Sequence, residues 1–214
     1  HKDWLGFTAL NISQDPETLD YMAKSGNFGM LVGIESTNET VLKKMNKQVN
    51  LKLGTDSYFD CIQKIHNAGL VVWGSVVFGA DGDDKDSFKR MTDFILENNI
   101  DILTFGINCP FPKTQLYARL DSEKRIFRKN YPEDWQYYDT AHVVHRFVDM
   151  TLEDFIEGMQ YIYDHIYAGD NLRTRFRNSI KTTKNPRNSM FAFRVGSDWK
   201  QVFEQVLQNL KELY

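Results

Sequence analysis

The chain has 214 residues, 42% hydrophobic and 26% charged, which suits one folded domain with a sizeable core or a domain with a helical appendage. With Lys+Arg 26 against Asp+Glu 29 the net charge is -3, so there is no electrostatic case for nucleic acid or an anionic membrane. Two cysteines, Cys61 and Cys109, exclude a disulfide scaffold and a metal site built from cysteine alone; no apolar run is long enough for a transmembrane segment, and a cytoplasmic protein is expected.

Position 1 is His rather than Met, and a strand starts soon after it, which reads as an excised fragment or a tag remnant. Residues 6–12 (GFTALNI) form a strand candidate. Asp15-Pro16-Glu17 then reads as an N-cap, a Pro at the first helical position and an acidic first turn. Leu19, Met22 and Ala23 give that helix an apolar stripe, and Ser25-Gly26-Asn27 ends it. Residues 28–34 (FGMLVGI) are a second strand, followed by a Ser36 or Asn38 cap and a helical run through Val41, Leu42 and Met45. Residues 46–54 are polar and expected to loop. Residues 58–68 place Phe59, Ile62 and Ile65 at helical spacing.

The next stretch, residues 70–88, reads LVVWGSVVFGADGDDKDSF. Its first half is a Val-rich run suited to a strand buried on both faces, and its second half turns into Gly and Asp before a helix over 85–98. Residues 100–108 (IDILTFGIN) give a fourth strand, broken off by Cys109-Pro110-Phe111-Pro112. Strand, polar loop and helix thus alternate about three times, and right-handed crossovers put a parallel sheet's loops of interest on one edge. After Thr114 the composition changes. Residues 116–145 are rich in Tyr, Trp, Arg and Asp without clean periodicity. Thr151-Leu152-Glu153-Asp154 is a capping box opening a long helix with Phe155, Met159, Ile162 and Ile166 as its stripe. A helix over 172–180, a break at Asn185-Pro186 and an amphipathic helix over 199–214 complete the tail. The fold class is therefore α/β, a partial parallel (β/α) barrel over residues 1–120 followed by an α-rich C-terminal extension over 121–214.

The strand ends carry the chemistry. Glu35 follows an apolar strand directly and is poorly explained by core packing, whereas Ser36 or Asn38 suits a helix cap. Gly74 and Gly79, in and after a bulky strand, leave room for another backbone or a flat ligand. Asp81, Asp83 and Asp84 lack the closing Glu of a calcium loop, and three carboxylates would repel phosphate. His142 and His145 have a metal-compatible spacing if helical, but no third ligand is evident, and two hydrogen-bonded structural histidines suit the segment better. Cys109 can face the mouth, although a small buried thiol is the commoner state.

Three segments, GMLVGIESTNETVLKKMNK, CIQKIHNAGLVVWGSVVFGADGDDKDSF and ILTFGINCPFPKTQLYARL, resemble the later strands of a radical SAM barrel. With YYDTAHVVHRF and MTLEDFIEGMQYIYDHIY they are most similar to the subfamily with an N-terminal cobalamin-binding domain, over residues 7–167. The resemblance implies a [4Fe-4S] cluster on a CxxxCxxC loop that this chain lacks, S-adenosylmethionine on the cluster's open site, and in the full-length protein possibly cobalamin. It implies that Glu35 and Ser36 lie near the ribose and methionine, that Gly74, Gly79 and Asp81 lie beside the adenine, and that Asn108 closes a strand contacting adenine. It gives no catalytic residue and no metal ligand. Where that family usually has Pro-x-Pro-Gly-Thr, this chain has Pro110-Phe111-Pro112-Lys113-Thr114, so Lys113 alters the loop's backbone freedom or its charge.

The implied function is a C-terminal fragment of a radical SAM enzyme, inactive and cofactor-free alone, whose partners are the N-terminal remainder of its own chain and a small-molecule or lipid-like substrate. Two alternatives from other classes are a non-catalytic α/β module binding a ligand or protein, and a complete barrel enzyme using Glu35 and Asp81 as acid and base.

Overall fold

The computed structural model describes residues 2–214; His1 lies outside them, and with it the reading of that position. Four strands, β1 (Trp4–Thr8), β2 (Asn27–Glu35), β3 (Val71–Phe78) and β4 (Ile102–Ile107), form one sheet in sequential order, every neighbouring pair parallel. This bears out the mixed α/β expectation, with the carboxyl ends of all four strands on a common edge. The first strand spans Trp4–Thr8 rather than 6–12; it ends early because the chain tightens into a 3-10 turn over Leu10–Gln14 that buries Leu10.

The helices are α1 (Pro16–Lys24), α2 (Glu39–Lys44), α3 (Gln48–Leu53), α4 (Tyr58–Asn67), α5 (Ser87–Glu97), α6 (Gln115–Ser122), α7 (Leu152–Ile166), α8 (Asn171–Thr183) and α9 (Pro186–Leu213). Local signals account for most of their starts. Asp15 accepts from Thr18 N, Asn38 from Thr40 N and Thr114 from Tyr117 N, and Thr151 with Asp154 closes the capping box of α7. All four stripe residues of α7 are buried.

Three expectations need correction. Residues 46–54 include α3, because the buried Asn50 amide donates to the Gly33 and Ile34 carbonyls and ties the segment to β2. On α4 the core stripe is Tyr58, Cys61, Ile62 and Ile65; Phe59, 52% exposed, points away. Asn185-Pro186 starts the last helix rather than merely ending the one before: Asn185 caps it and Pro186 is its first residue, so α9 begins 13 residues before position 199.

Register separates the two faces of the sheet. Val32, Gly74 and Leu103 are paired across β2, β3 and β4, and this face packs into the main core with α4, α5 and α7. The other face carries Leu31, Gly33, Ser75, Val77 and Thr104, all half-buried, and Phe7, 78% exposed. At its amino end this open face is sealed by α9, where Ala192, Phe191 and Val195 pack on Val71 and Ile102, and Trp199 meets Trp73 edge-on. At its carboxyl end it stays accessible. One hydrophobic cluster joins strand residues to Phe155, Ile162 and Phe203, so barrel part and extension share a core.

Candidate functional site at the carboxyl edge

A cleft of about 560 Å³ lies where the chain leaves the strands. Lys44 borders it as the last residue of α2 and Asn46 just beyond, Ala80 and Asp81 after β3, Asn108 after β4, and Gln115 and Arg119 on the first turns of α6. Small-molecule sites in parallel α/β sheets form at this edge because every loop there comes from a strand's carboxyl end. A larger hollow, about 690 Å³ between α1 and α4, collects no strand-end residue of β2, β3 or β4.

Asp81 and Asn108 are brought together in the cleft as the sequence suggests; the other four candidates lie elsewhere. Glu35 sits at a register shift with φ of 64°, and its side chain folds back over Gly33, so the carboxylate stands over the open face. There Lys47 Nζ donates to its Oε1 at 2.7 Å. Ser36 is buried and its Oγ accepts from Asn38 N, which makes it part of the turn before α2. Gly74 faces the helix-covered side. A Cβ there would lie 2.8 Å from Ile34 Cδ1 and 3.0 Å from Ile100 Cγ2, so its vacant space belongs to core packing and not to an adenine. At Gly79, φ is 84° and the flat group that approaches is the chain's own Phe147 ring, 2.5 Å from where a Cβ would be.

The three acids of the loop each have a separate partner. Arg125 grips Asp81 with two nitrogens, at 2.7 and 3.2 Å, and Arg119 donates to the same carboxylate. Burial raises the Asp81 pKa, but the bonds from Arg125 and then Arg119 outweigh it and hold it at about 2. Asp83 accepts from the Gly79 and Ala80 amides at 3.1 Å; burial nevertheless pushes its pKa up to about 6. Asp84 pairs with Arg90 at 2.7 Å. No cluster of three or more His, Cys, Asp or Glu side chains suits a metal ion among the described residues.

Sequence reasoning missed that the extension builds this loop's outer wall. Arg125, Phe147 and Asp149, the last accepting from Gly82 N, all come from beyond residue 120. Basic residues spaced 6 apart at 119 and 125 were the available signal, but nothing local tied them to Asp81. His142 bonds to Asp139 at 3.0 Å as expected of a structural histidine. His145 does not: it is 1% exposed, and neither ring nitrogen has a hydrogen-bond partner among the described residues. Burial, with the Arg125 charge adding to it, depresses its pKa to about 4, so the ring is neutral. Cys109 is buried, and that burial pushes its thiol up to about 11. Lys113 takes a φ of 69°, the left-handed region in which Gly is at ease. The loop therefore keeps a glycine-like backbone despite the substitution.

A parallel four-stranded sheet with its main core on one face, α9 over the amino end of the other, and a polar cleft at its carboxyl edge define an α/β unit consistent with a partial barrel. The comparisons narrow this. Residues 114–211 match the family model described as a domain of unknown function, DUF4070. The chain is 29% identical over 174 residues (81% of this chain, 36% of the relative) to bacteriochlorophyllide d C-12(1)-methyltransferase of Chlorobaculum tepidum. It is 26% identical over 182 residues (85% and 38%) to bacteriochlorophyllide d C-8(2)-methyltransferase of the same organism. To hopanoid C-2 methylase of Rhodopseudomonas palustris it is 31% identical over 117 residues (55% and 22%). The chain thus spans less than two-fifths of the length of these curated relatives. The resemblance to the C-terminal part of radical SAM enzymes of the cobalamin-domain subfamily holds, and the chain is related to methyltransferases.

Proposed function

We propose that this chain supplies part of the S-adenosylmethionine pocket and the substrate side of a radical SAM barrel, in a protein that transfers a methyl group with cobalamin. The observation that carries the reading is where the cleft falls. A match of 174 residues within a chain of 214 must include the segment from Lys44 to Arg119, so the similarity to a methyltransferase runs through every strand end that borders the cleft. Asn108 and Gln115 offer amides, and Lys44 and Arg119 offer cations, to the polar parts of a nucleoside-sized ligand.

The iron-sulfur cluster does not fit the residues present. Cys61 packs in the core, and Cys109 is buried with a raised thiol pKa, so neither is an available thiolate. On this reading the cluster and cobalamin are held by other parts of the protein, and the role of this chain is to orient ligand and exclude water. The partners proposed are a small-molecule or lipid-like substrate and the remainder of its own chain. No helix among the described residues is long and apolar enough to cross a membrane.

The test uses the protein of the complete reading frame, reconstituted with iron and sulfide and then reduced. Release of 5'-deoxyadenosine or S-adenosylhomocysteine from S-adenosylmethionine is expected. Formation of neither contradicts the proposal and favours a non-catalytic α/β binding module.

A further inference from the structure

We infer that the paired segments 125–127 and 144–149 of the extension are a clamp that fixes the cleft side of the strand-end loop 79–84, with Arg125 as its positioning residue. This rests on the reading of the cleft as a ligand site and names what the extension does for it.

The loop's own bonds leave its cleft side unfixed. Asp83 closes the turn by accepting from the Gly79 and Ala80 amides, and Asp84 accepts from Ser87 Oγ at 3.2 Å and from Arg90 at 2.7 Å, which ties the far side of the loop to α5. Neither bond reaches the Asp81 carboxylate or the Gly82 amide. Asp81 borders the cleft, and its partners are Arg119 and Arg125; Gly82 N donates to Asp149. Three carboxylates within four residues repel one another, and Gly79 and Gly82, at φ of 84° and 98°, give the backbone freedom to move. The position of Asp81 is therefore set from outside the loop.

The extension supplies a rigid platform for this. Phe127 N donates to the Val144 carbonyl at 3.1 Å, Arg146 N to the Arg125 carbonyl at 3.0 Å, and Ile126 opposes His145 in an antiparallel bridge. Ile126, Val144 and His145 are all buried, which anchors this short ladder. Arg125 Nε donates back across it to the Arg146 carbonyl at 2.9 Å, while the other two nitrogens reach both oxygens of Asp81. A guanidinium held at all three nitrogens, with its side chain 11% exposed, has one orientation to offer. Further along the same segment, Phe147 fills the space beside Gly79, and Asp149 accepts from Gly82 N at 3.2 Å. The platform thus meets the loop at Gly79, Asp81 and Gly82. Arg119 also bonds Asp81, but it is 41% exposed and has no bond to the ladder among the described residues, so it neutralises the carboxylate without fixing it.

The test is amide hydrogen exchange on the ligand-free protein of the complete reading frame, with S-adenosylmethionine affinity then measured by calorimetry. In Arg125→Met, exchange over residues 79–82 is expected to rise about tenfold or more, as loss of charge-assisted hydrogen bonds implies, with β3 and α7 unchanged. Arg119 still neutralises Asp81 in that variant, so no buried charge is left alone. Asp149→Ala, at an exposed position, should raise exchange over the same residues by a smaller factor. Arg90→Met releases Asp84 instead and should leave residues 79–82 and the affinity as they were. Arg125→Met combined with Asp81→Asn removes the pair as a whole. Fast exchange over 79–82 is expected to persist there, because the tie to the ladder is gone; slow exchange would mean that Arg125 merely neutralises Asp81, and overturns the inference. Affinity should fall about tenfold in Arg125→Met, in line with the loosened loop. Wild-type exchange over 79–82 in Arg125→Met, or wild-type affinity with a loosened loop, also overturns it. Absence of S-adenosylmethionine binding by the unaltered protein counts against the proposed function alone, since exchange is read without ligand.

Discussion

The two ends of the sheet handle charge in opposite ways. At the amino end, Asp101 Oδ2 accepts from Val72 N at 2.7 Å and bonds His66 Nε2 at 2.9 Å, and both side chains are fully buried. Beside them Arg175 of α8, also buried, donates to the Ile100 carbonyl at 2.6 Å. At the carboxyl end Asp81, 9% exposed, pairs with Arg119, 41% exposed, the first on a loop and the second on a short helix. Charges sealed in the core cannot change partner, because leaving one unpaired costs several kcal/mol. Those at the cleft can, and exchange of partners is what a binding site needs. In parallel α/β folds the amino end is where stability resides and the carboxyl end is where ligands bind. Here the C-terminal extension serves both ends: α8 and α9 close the first, and Arg125, Phe147 and Asp149 wall the second.

The largest effect is expected at the amino end. Asp101→Ala leaves His66 and the Val72 amide unpaired in the core, and should cost about 3–5 kcal/mol, the loss typical of breaking a buried pair. Calorimetry that found less than about 1 kcal/mol would show that this end is no more rigid than a surface ion pair. Gly79→Ala should be the next largest effect. A methyl group at φ 84° would also meet Phe147, for about 1–3 kcal/mol of strain and overpacking. Phe147→Leu in the same chain should recover part of this loss. Failure of that rescue would mean that the ring is not what fills the space.

The loop's titration gives a sharper test. A depressed His145 stabilises the fold above its ordinary value of 6.5, and that contribution disappears as pH falls from 6.5 to about 4. Asp81, also depressed, loses its contribution as pH falls from about 4 to about 2. Asp83 has the opposite sign: its raised pKa makes the fold lose stability as pH rises from about 4 to about 6. The His145 and Asp83 effects therefore oppose each other over the same range. His145→Phe should unmask Asp83, so that the urea midpoint of the variant rises as pH falls from 6 to 4. A midpoint that falls in this range would contradict the assignment. Smallest of all, Lys44→Gln should change stability by less than about 0.5 kcal/mol, since the residue is exposed and unpaired.

Much of the framework is legible in the sequence because it is written in local signals. Asp15-Pro16, the Thr151–Asp154 capping box and the Val-rich run before Gly79 each announce an element within a few residues. What escapes local reading depends on partners far along the chain. The helix at 48–53 exists through Asn50 reaching back to Gly33 and Ile34, and the first half of α9 through its seal on Val71 and Ile102. The site shows the same division. Asp81 and Asn108 border one cleft because strand ends converge on one edge of a parallel sheet. Gly74 and Gly79 look like room for a ligand only until Ile34, Ile100 and Phe147 are seen to occupy that room.

On the proposed reading, the carboxyl-edge cleft is where this chain meets its ligand. It is tested most directly by comparing methyl-transfer products and melting temperature for Lys44→Gln and Asn108→Ala in the protein of the complete reading frame. Product formation is expected to fall by about fivefold or more at an unchanged melting temperature, as loss of a contact to the ligand requires. Full product formation by both variants would place the working site elsewhere.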